Sequence, residues 1–366
     1  MRAVDMVRPR IKPELVPYVT VDGNIRIGAT IHGIGVEIAD PDGWIRTLID
    51  ALDGTRSPGE IIAAVRSGSP GAPVTEALQQ LSDAGLLEDA GAPVPPELPE
   101  PERYSRGVAF LRWIDRTPRS TAWDMQLRLN RSRVLLIGIG GVGGTVAQGL
   151  VASGVGHLHC VDFDTVDLSN LNRQILFREK DIGAPKVEAA VDRLRALNST
   201  VLVTGEQRRV DGRSDIAELL RPGYDLLALC ADRPRNIRRW VNRECLAADL
   251  PWVVGGYHGP RTSAGMYGPG ACWECAHDSD AESGDTRMPA GMTVESLAPQ
   301  LPWHPVNAVS AGITGNLVTH FALSALTGAP PFEPGSRYEV NLANLEATAP
   351  ERIPPRPGCP GCGDTR

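Results

Sequence analysis

No apolar run in the sequence approaches the roughly 20 residues that a bilayer-spanning helix needs. The first residues, MRAVDMVRPRIKPE, lack the apolar core of a secretory signal. Positive charge is in the minority. The formal net charge is -7, which argues against a non-specific grip on nucleic-acid phosphates. No internal repeat is visible. Cysteine is scarce and odd in number, at seven. These absences point to a cytoplasmic protein that binds neither membrane nor nucleic acid, in a compartment where disulfides are not the default. What remains is ordinary for a globular chain. Hydrophobic residues make up 42% and charged residues 22%, and 366 residues suggest two or three domains.

Residues 1–92 read as one small unit. Short extended segments over 10–19 and 24–30 flank a turn signal at Asp22-Gly23, and GIGVEIA suits a third strand. DPDGWIRTLIDALDG follows with Trp44, Leu48, Ile49 and Leu52 at helical spacing and Gly54 as a stop. Ser57, Pro58 and Glu60 form the start signal of a second helix, and a third spans about 74–81. Three strands and three helices in this order predict a winged helix-turn-helix. GAPVPPELPEPE then reads as an extended linker, with the boundary over 93–102. From Arg133 onward strands and helices alternate, which predicts an α/β, Rossmann-like, doubly wound and mostly parallel sheet.

The first strand of that sheet, RVLLI, runs into Gly138, Gly140, Gly141, Gly143 and Gly144. Glycines there permit a tight turn and let backbone N–H groups approach a phosphate at a helix N-terminus. Nineteen residues beyond Gly143 lies Asp162, placed to bond a ribose hydroxyl. This much fits a dinucleotide dehydrogenase, and glycines also serve tight packing.

The next segment separates the readings. VDFDTVDLSNLNRQILF followed by GAPKVEA resembles the ThiF/MoeB/ubiquitin-activating-enzyme superfamily. The resemblance covers roughly 103–366 and implies an ATP-dependent adenylyltransferase. Asn170, Arg173 and Lys186 then serve the nucleotide, the two cations on its phosphates. Asp232 in LCADRPRN resembles the family's magnesium-binding aspartate. Arg103, Tyr104, Ser105 and Arg106 resemble the family's RYxRQ segment, with Gly107 in place of the glutamine. In relatives the second arginine reaches the partner subunit's ATP, so Arg106 implies a homodimer.

Cys272-Trp-Glu-Cys275 and Cys359-Pro-Gly-Cys362 are two CxxC pairs, which together complete a tetrahedral thiolate site for structural zinc. The arrangement is similar to the zinc site of bacterial members of the superfamily. Many eukaryotic relatives carry a catalytic cysteine after the first pair, but 276–358 contains none. Cys160, Cys230 and Cys245 read as buried packing residues. The reaction is therefore expected to stop at an adenylate rather than an enzyme thioester. His304 reads more readily as structural than as a substrate contact.

Residues 1–92 carry 8 Lys+Arg against 13 Asp+Glu, a net of -5, which disfavours a DNA reader. Their order of elements looks like a PqqD-like precursor-peptide recognition domain, which takes a leader peptide as an added strand. Such a domain fused to an adenylating domain resembles the microcin C adenylating enzymes and the ThiF-like partner proteins of azoline-forming clusters. The expected function is adenylation of a carboxyl or amide group on a ribosomally made precursor peptide, with a tailoring enzyme as a possible partner. The alternatives are a leader-presenting scaffold without ATP turnover, and an activator of a ubiquitin-like sulfur carrier.

Overall fold

The computed structural model describes residues 2–28, 33–119, 121–282, 305–347 and 351–363. The chain forms two compact units. The first is Met1–Arg128 with Ala329–Pro331, the second Leu129–Gly328 with Phe332–Arg366.

The first unit opens with β1 (Pro9–Ile11), β2 (Tyr18–Val19), β3 (Ile25–Ile27) and β4 (Val36–Ile38). Strands β2, β3 and β4 form an antiparallel sheet in that order. Three helices follow: α1 (Trp44–Ala51), α2 (Pro58–Gly68) and α3 (Val74–Asp83). The start signal at Ser57 is realised. Its hydroxyl accepts the Glu60 N–H, and the Glu60 carboxylate accepts the Ser57 N–H at 2.7 Å. Such a reciprocal cap stabilises a helix by about 1 kcal/mol. Leu48, Ile61, Val74 and Leu78 are fully buried between these helices. β5 (Leu87–Asp89) returns to pair with β1.

This unit continues past position 92. Leu98 is buried in the proline-rich segment, and Pro101 opens α4 (Pro101–Ile114). Ion pairs hold α4 in the unit. Arg112 bonds Glu14, and also Glu88 at 3.2 Å, while Glu88 pairs with Arg10 at 2.6 Å. Glu88 is only 5% exposed, so its buried charge depends on these two arginines together.

After α5 (Asp124–Arg131) come β6 (Arg133–Ile137), α6 (Gly141–Ala152), β7 (His157–Asp162), α7 (Lys186–Leu197), β8 (Leu202–Gln207), α8 (Arg213–Leu220), β9 (Leu226–Leu229) and α9 (Ile237–Ala247). β10 (Trp252–His258), β11 (Arg261–Tyr267), α10 (Trp273–Glu282), α11 (Ala308–Thr327), β12 (Ser336–Asn341), β13 (Glu346–Ala347) and β14 (Glu351–Arg352) complete the described elements. The large sheet is mixed. Its parallel part has the order β8-β7-β6-β9-β10, as alternating strands and helices require. β11 to β14 add antiparallel strands beyond β10. Val134 to Ile137 of β6 are all within 2% of full burial. Burial on both faces is the reason this strand reads as an unbroken apolar run, and each such side chain contributes about 1.5–3 kcal/mol.

α11 is long and apolar enough to cross a membrane, contrary to the reading that no run approaches that length. It is instead packed within the second unit. Gly315 lies against Thr145 of α6, and Gly255 of β10 lies against Thr314 and Val318. Asn307 caps it by accepting the Ser310 N–H at 2.9 Å. Its small and hydroxyl-bearing residues fit a core helix in close contact with its neighbours.

Candidate active site and metal centre

β6 ends in a turn at Gly138, which has φ +93°, a left-handed value that favours glycine. A Cβ there would lie 2.7 Å from the Ala231 backbone nitrogen. On Gly143 it would lie 1.9 Å from the Gly138 carbonyl oxygen, and on Gly141 it would lie 2.9 Å from Ala311 Cβ. These three glycines fit the turn against its neighbours. Gly140 is different. Its backbone is extended, and the nearest atom to its missing Cβ is Gln174 Nε2 at 4.0 Å. Among the described residues no side chain caps α6 at this point. The N–H groups of a helix's first turn lack intrahelical partners, and an anion can satisfy them where no side chain does. Gln174 is buried, and its Oε1 has no donor among the described residues. An orphaned buried acceptor beside a bare backbone gap fits a site made for a polar ligand. Sequence reasoning missed Gln174, although it directly follows Arg173.

Asp162 ends β7 and is nearly buried. Its Oδ2 accepts the Ile139 N–H at 2.6 Å, and Oδ1 accepts the Asp164 N–H at 2.9 Å. Burial raises its pKa, against the pull of the Ile139 N–H and Lys186. Each oxygen keeps a lone pair for a further donor, such as a hydroxyl. Lys186, the first residue of α7, is buried and bonds Asp164 Oδ2 at 2.8 Å. That partner is a second feature the sequence reading lacked. Arg173 donates to the Ser169 carbonyl at 2.8 Å and to Asn172 Oδ1 at 3.0 Å. Its own carbonyl lies 3.1 Å from the Cβ position of Gly141, against the glycine turn. Asn170 holds the local turn, accepting the Asp167 N–H at 3.2 Å.

Asp232 is exposed just beyond the C-terminal end of β9. Tyr257 of β10 feels both Arg173 and Asp232. Burial raises its pKa, Arg173 lowers it and Asp232 raises it again. Arg238, in the first turn of α9, is a cation that the sequence reading passed over. Burial lowers its pKa, while Asp232 opposes the loss of charge. The glycine turn, Asp162, Arg173, Lys186 and Asp232 all belong to the second unit, at or just past the C-terminal ends of β6, β7 and β9. Open α/β sheets bind ligands at that edge. Arg106 is exposed on α4 of the first unit.

The four CxxC thiols converge. Cys272 Sγ lies 3.7 Å from Cys275 Sγ and 3.6 Å from Cys359 Sγ, and Cys275 Sγ lies 3.6 Å from Cys362 Sγ. A tetrahedral ion with metal–sulfur bonds of about 2.3 Å separates its sulfurs by about 3.8 Å. The set therefore fits a metal ion with every position filled by protein. Burial pushes the Cys160 and Cys230 thiols up to about 12, and raises that of Cys245. None is a poised nucleophile. His304 lies outside the described residues.

The chain is similar to known proteins over most of its length. The molybdopterin-synthase adenylyltransferase of Escherichia coli K12 is 32% identical over 265 residues, 71% of this chain and 96% of that protein. The structure of E. coli MccB with ATP has a TM-score of 0.73 at 20% identity, covering 98% of this chain and 100% of that one. The microcin C7 biosynthetic enzyme MccB in complex with N-formylated MccA gives 0.72 at 19% identity, with the same coverage. Residues 104–361 match the ThiF family. The chain belongs to the ThiF family, as an adenylyltransferase of that group.

Proposed function

We propose that this adenylyltransferase uses ATP to activate a carboxyl or amide group on a ribosomally made precursor peptide, in the cytoplasm and without an enzyme thioester. One observation carries the reading. The likeness to MccB spans 98% of this chain, including the first unit, whereas the sequence match to the molybdopterin-synthase enzyme exhausts 96% of that protein within 71% of this chain. The extra portion needs a task that sulfur-carrier activation does not supply. A PqqD-like, winged-helix recognition domain is the reading that suits it. Its three-stranded sheet has β4 paired only with β3 among the described residues, which leaves an edge for an added peptide strand.

In this reading the gap before Gly140 and the N-terminus of α6 receive the nucleotide phosphates, and Asp162 takes the ribose. Arg173, Lys186 and Arg106 from a second copy stabilise charge as the acceptor oxygen attacks the α-phosphorus and pyrophosphate leaves. Asp232 would hold magnesium, whose chemistry is charge neutralisation on the phosphates. The four thiolates would hold structural zinc.

The test is pyrophosphate exchange into ATP with candidate precursor peptides, taken from any short reading frame found beside this gene. Exchange that requires the peptide supports the reading. The sequence identity to the molybdopterin-synthase enzyme favours a second reading, activation of a ubiquitin-like sulfur carrier. Exchange driven by such a carrier and not by the peptide would replace the first reading with the second.

A further inference from the structure

Glu274 lies between the two cysteines of the first CxxC pair. A residue there would ordinarily face solvent, yet this carboxylate is 1% exposed. It is met by α9 on several sides. Arg243 donates to it in a bidentate fork, Nε to Oε1 at 3.0 Å and Nη2 to Oε2 at 3.1 Å. Arg239 Nε stands 3.4 Å from Oε2. Asn242 Nδ2 donates to Oε1 at 3.3 Å, and Asn242 Oδ1 accepts the Trp273 N–H at 2.9 Å. The second CxxC pair closes over the same group, since a Cβ on Gly361 would lie 2.8 Å from Glu274 Oε1. One carboxylate thus bonds the first cysteine pair's turn to one helix and packs against the second.

That helix is the one leading away from Asp232. Residues 239, 242 and 243 share one face of α9 by their helical spacing. Ile237, Val241 and Cys245 form its opposite, fully buried face. Arg238, in the first turn, reaches β10, where its Nη2 lies 3.6 Å from the Cβ position of Gly256, and Asp232 lies five residues before Ile237, the first residue of the helix. The apolar face fixes how deep α9 sits, but apolar contacts are not directional. The bidentate Glu274–Arg243 pair is directional, so it fixes the rotation and axial position of α9.

We propose that Glu274 is a positioning residue, which holds α9 in register against the four-cysteine centre and so sets the placement of Arg238 and Asp232 for the nucleotide. The proposal rests on the reading of Asp232 as part of the nucleotide site. It gives the metal centre a second consequence besides fastening the C-terminal segment: loss of the ion releases α9.

The experiment is a double-mutant cycle of Glu274→Gln and Asp232→Asn on the full chain, read by calorimetric binding of MgATP, steady-state kinetics, and zinc release to a chromogenic chelator. Glu274→Gln keeps the size and one acceptor oxygen but turns the other into a donor facing arginine, so circular dichroism and the melting temperature are read alongside to check the fold. The expected result is a KM for ATP raised by about fivefold, with kcat within about twofold. Zinc release should quicken by about tenfold. In the Asp232→Asn background the Glu274 change should add little to the loss of affinity. A purely structural role would lower melting temperature and active fraction and leave KM for ATP where it was. That outcome, or additive losses in the cycle, overturns the proposal. MgATP binding untouched by Asp232→Asn would sink both this inference and the reading of the site, whereas binding lost with Asp232→Asn but kept with Glu274→Gln sinks this inference alone.

Discussion

Replacing Gly140 by alanine separates a glycine needed for folding from one needed for a ligand. Gly140 has φ -80° and ψ -153°, extended values open to any residue. Among the described residues the added methyl would have only Gln174 Nε2 near it, at 4.0 Å. Alanine restricts the unfolded chain, which favours folding by about 0.4–1 kcal/mol. It is also a poorer N-cap than glycine, by a similar amount. The two offset, and stability should change by less than about 1 kcal/mol, a melting shift of no more than about 4 °C for a domain of this size. Gly143→Ala is the contrast. Its Cβ would lie 1.9 Å from the Gly138 oxygen, where a comfortable contact needs about 3.5 Å. The turn must open by about 1.6 Å, at a cost of about 1–3 kcal/mol. Thermal unfolding and MgATP calorimetry read the two effects. Gly140→Ala should melt like the parent and bind MgATP at least about tenfold more weakly, a loss of about 1.4 kcal/mol. Gly143→Ala should lose both. Parental MgATP affinity in Gly140→Ala would falsify the assignment of this gap to the phosphates.

Other expectations rest on other parts of the chain. Lys12 is 3% exposed; its Nζ donates to the Asp115 carbonyl at 2.6 Å, and burial lowers its pKa to about 8. The unfolded chain therefore holds more protons between about pH 8 and 10.5, and this residue's contribution to stability should rise with pH across that window, by about 3 kcal/mol in all. Lys12→Met should remove that part of the slope in unfolding curves taken at several pH values. Cys359→Ser should lose the bound metal, as measured by elemental analysis, and lower the melting temperature, and a chelator should do the same to the parent. If Arg106 acts on the ATP of a second copy, Arg106→Ala and Lys186→Ala proteins should each be inactive. Mixed in equal amounts, they should recover about a quarter of the parental exchange rate, since half the dimers regain one intact site. No recovery after subunit exchange would place Arg106 in the site of its own chain.

The sequence announces what is local or fully buried. β6 is legible because Val134 to Ile137 are apolar on both faces. α2 is legible because Ser57, Pro58 and Glu60 are a physical start signal. β8 is not, because exposed Leu202, Gly205 and Gln207 sit on a sheet edge without a continuous apolar run. β11 pairs locally with β10, but its other edge depends on β12, far along the chain. The start of α6 is misplaced by propensity. Glycine disfavours helix, so the pattern suggests a start at Thr145, while the helix opens at Gly141. Close approach of Ala311 and of the Gly138 carbonyl demands bare backbone there. The candidate site is legible in its residues but not in their partners. Lys186 reads as a phosphate cation, yet Asp164 holds it, so any phosphate must share that ammonium. Nothing in the spacing of Glu274 announces three partners on α9.

The two units imply a division of work that can be measured. Apart from Arg106 of a second copy, the proposed adenylating site is built from the second unit's residues, and such a site sees only the reacting group and its near neighbours. An added strand on β4 would recognise backbone along its length, with alternate side chains reading identity. A fragment of the peptide that keeps this recognition segment and lacks the reactive end should therefore inhibit exchange. The inhibition should be competitive with the whole peptide and should leave KM for ATP unchanged. The reactive end alone should be a poor substrate with a raised KM and a kcat near that of the whole peptide. A fragment that raises KM for ATP instead would mean that it enters the nucleotide site. A fragment that inhibits nothing would remove the first unit from substrate recognition, and with it the reason to prefer a peptide over a sulfur carrier.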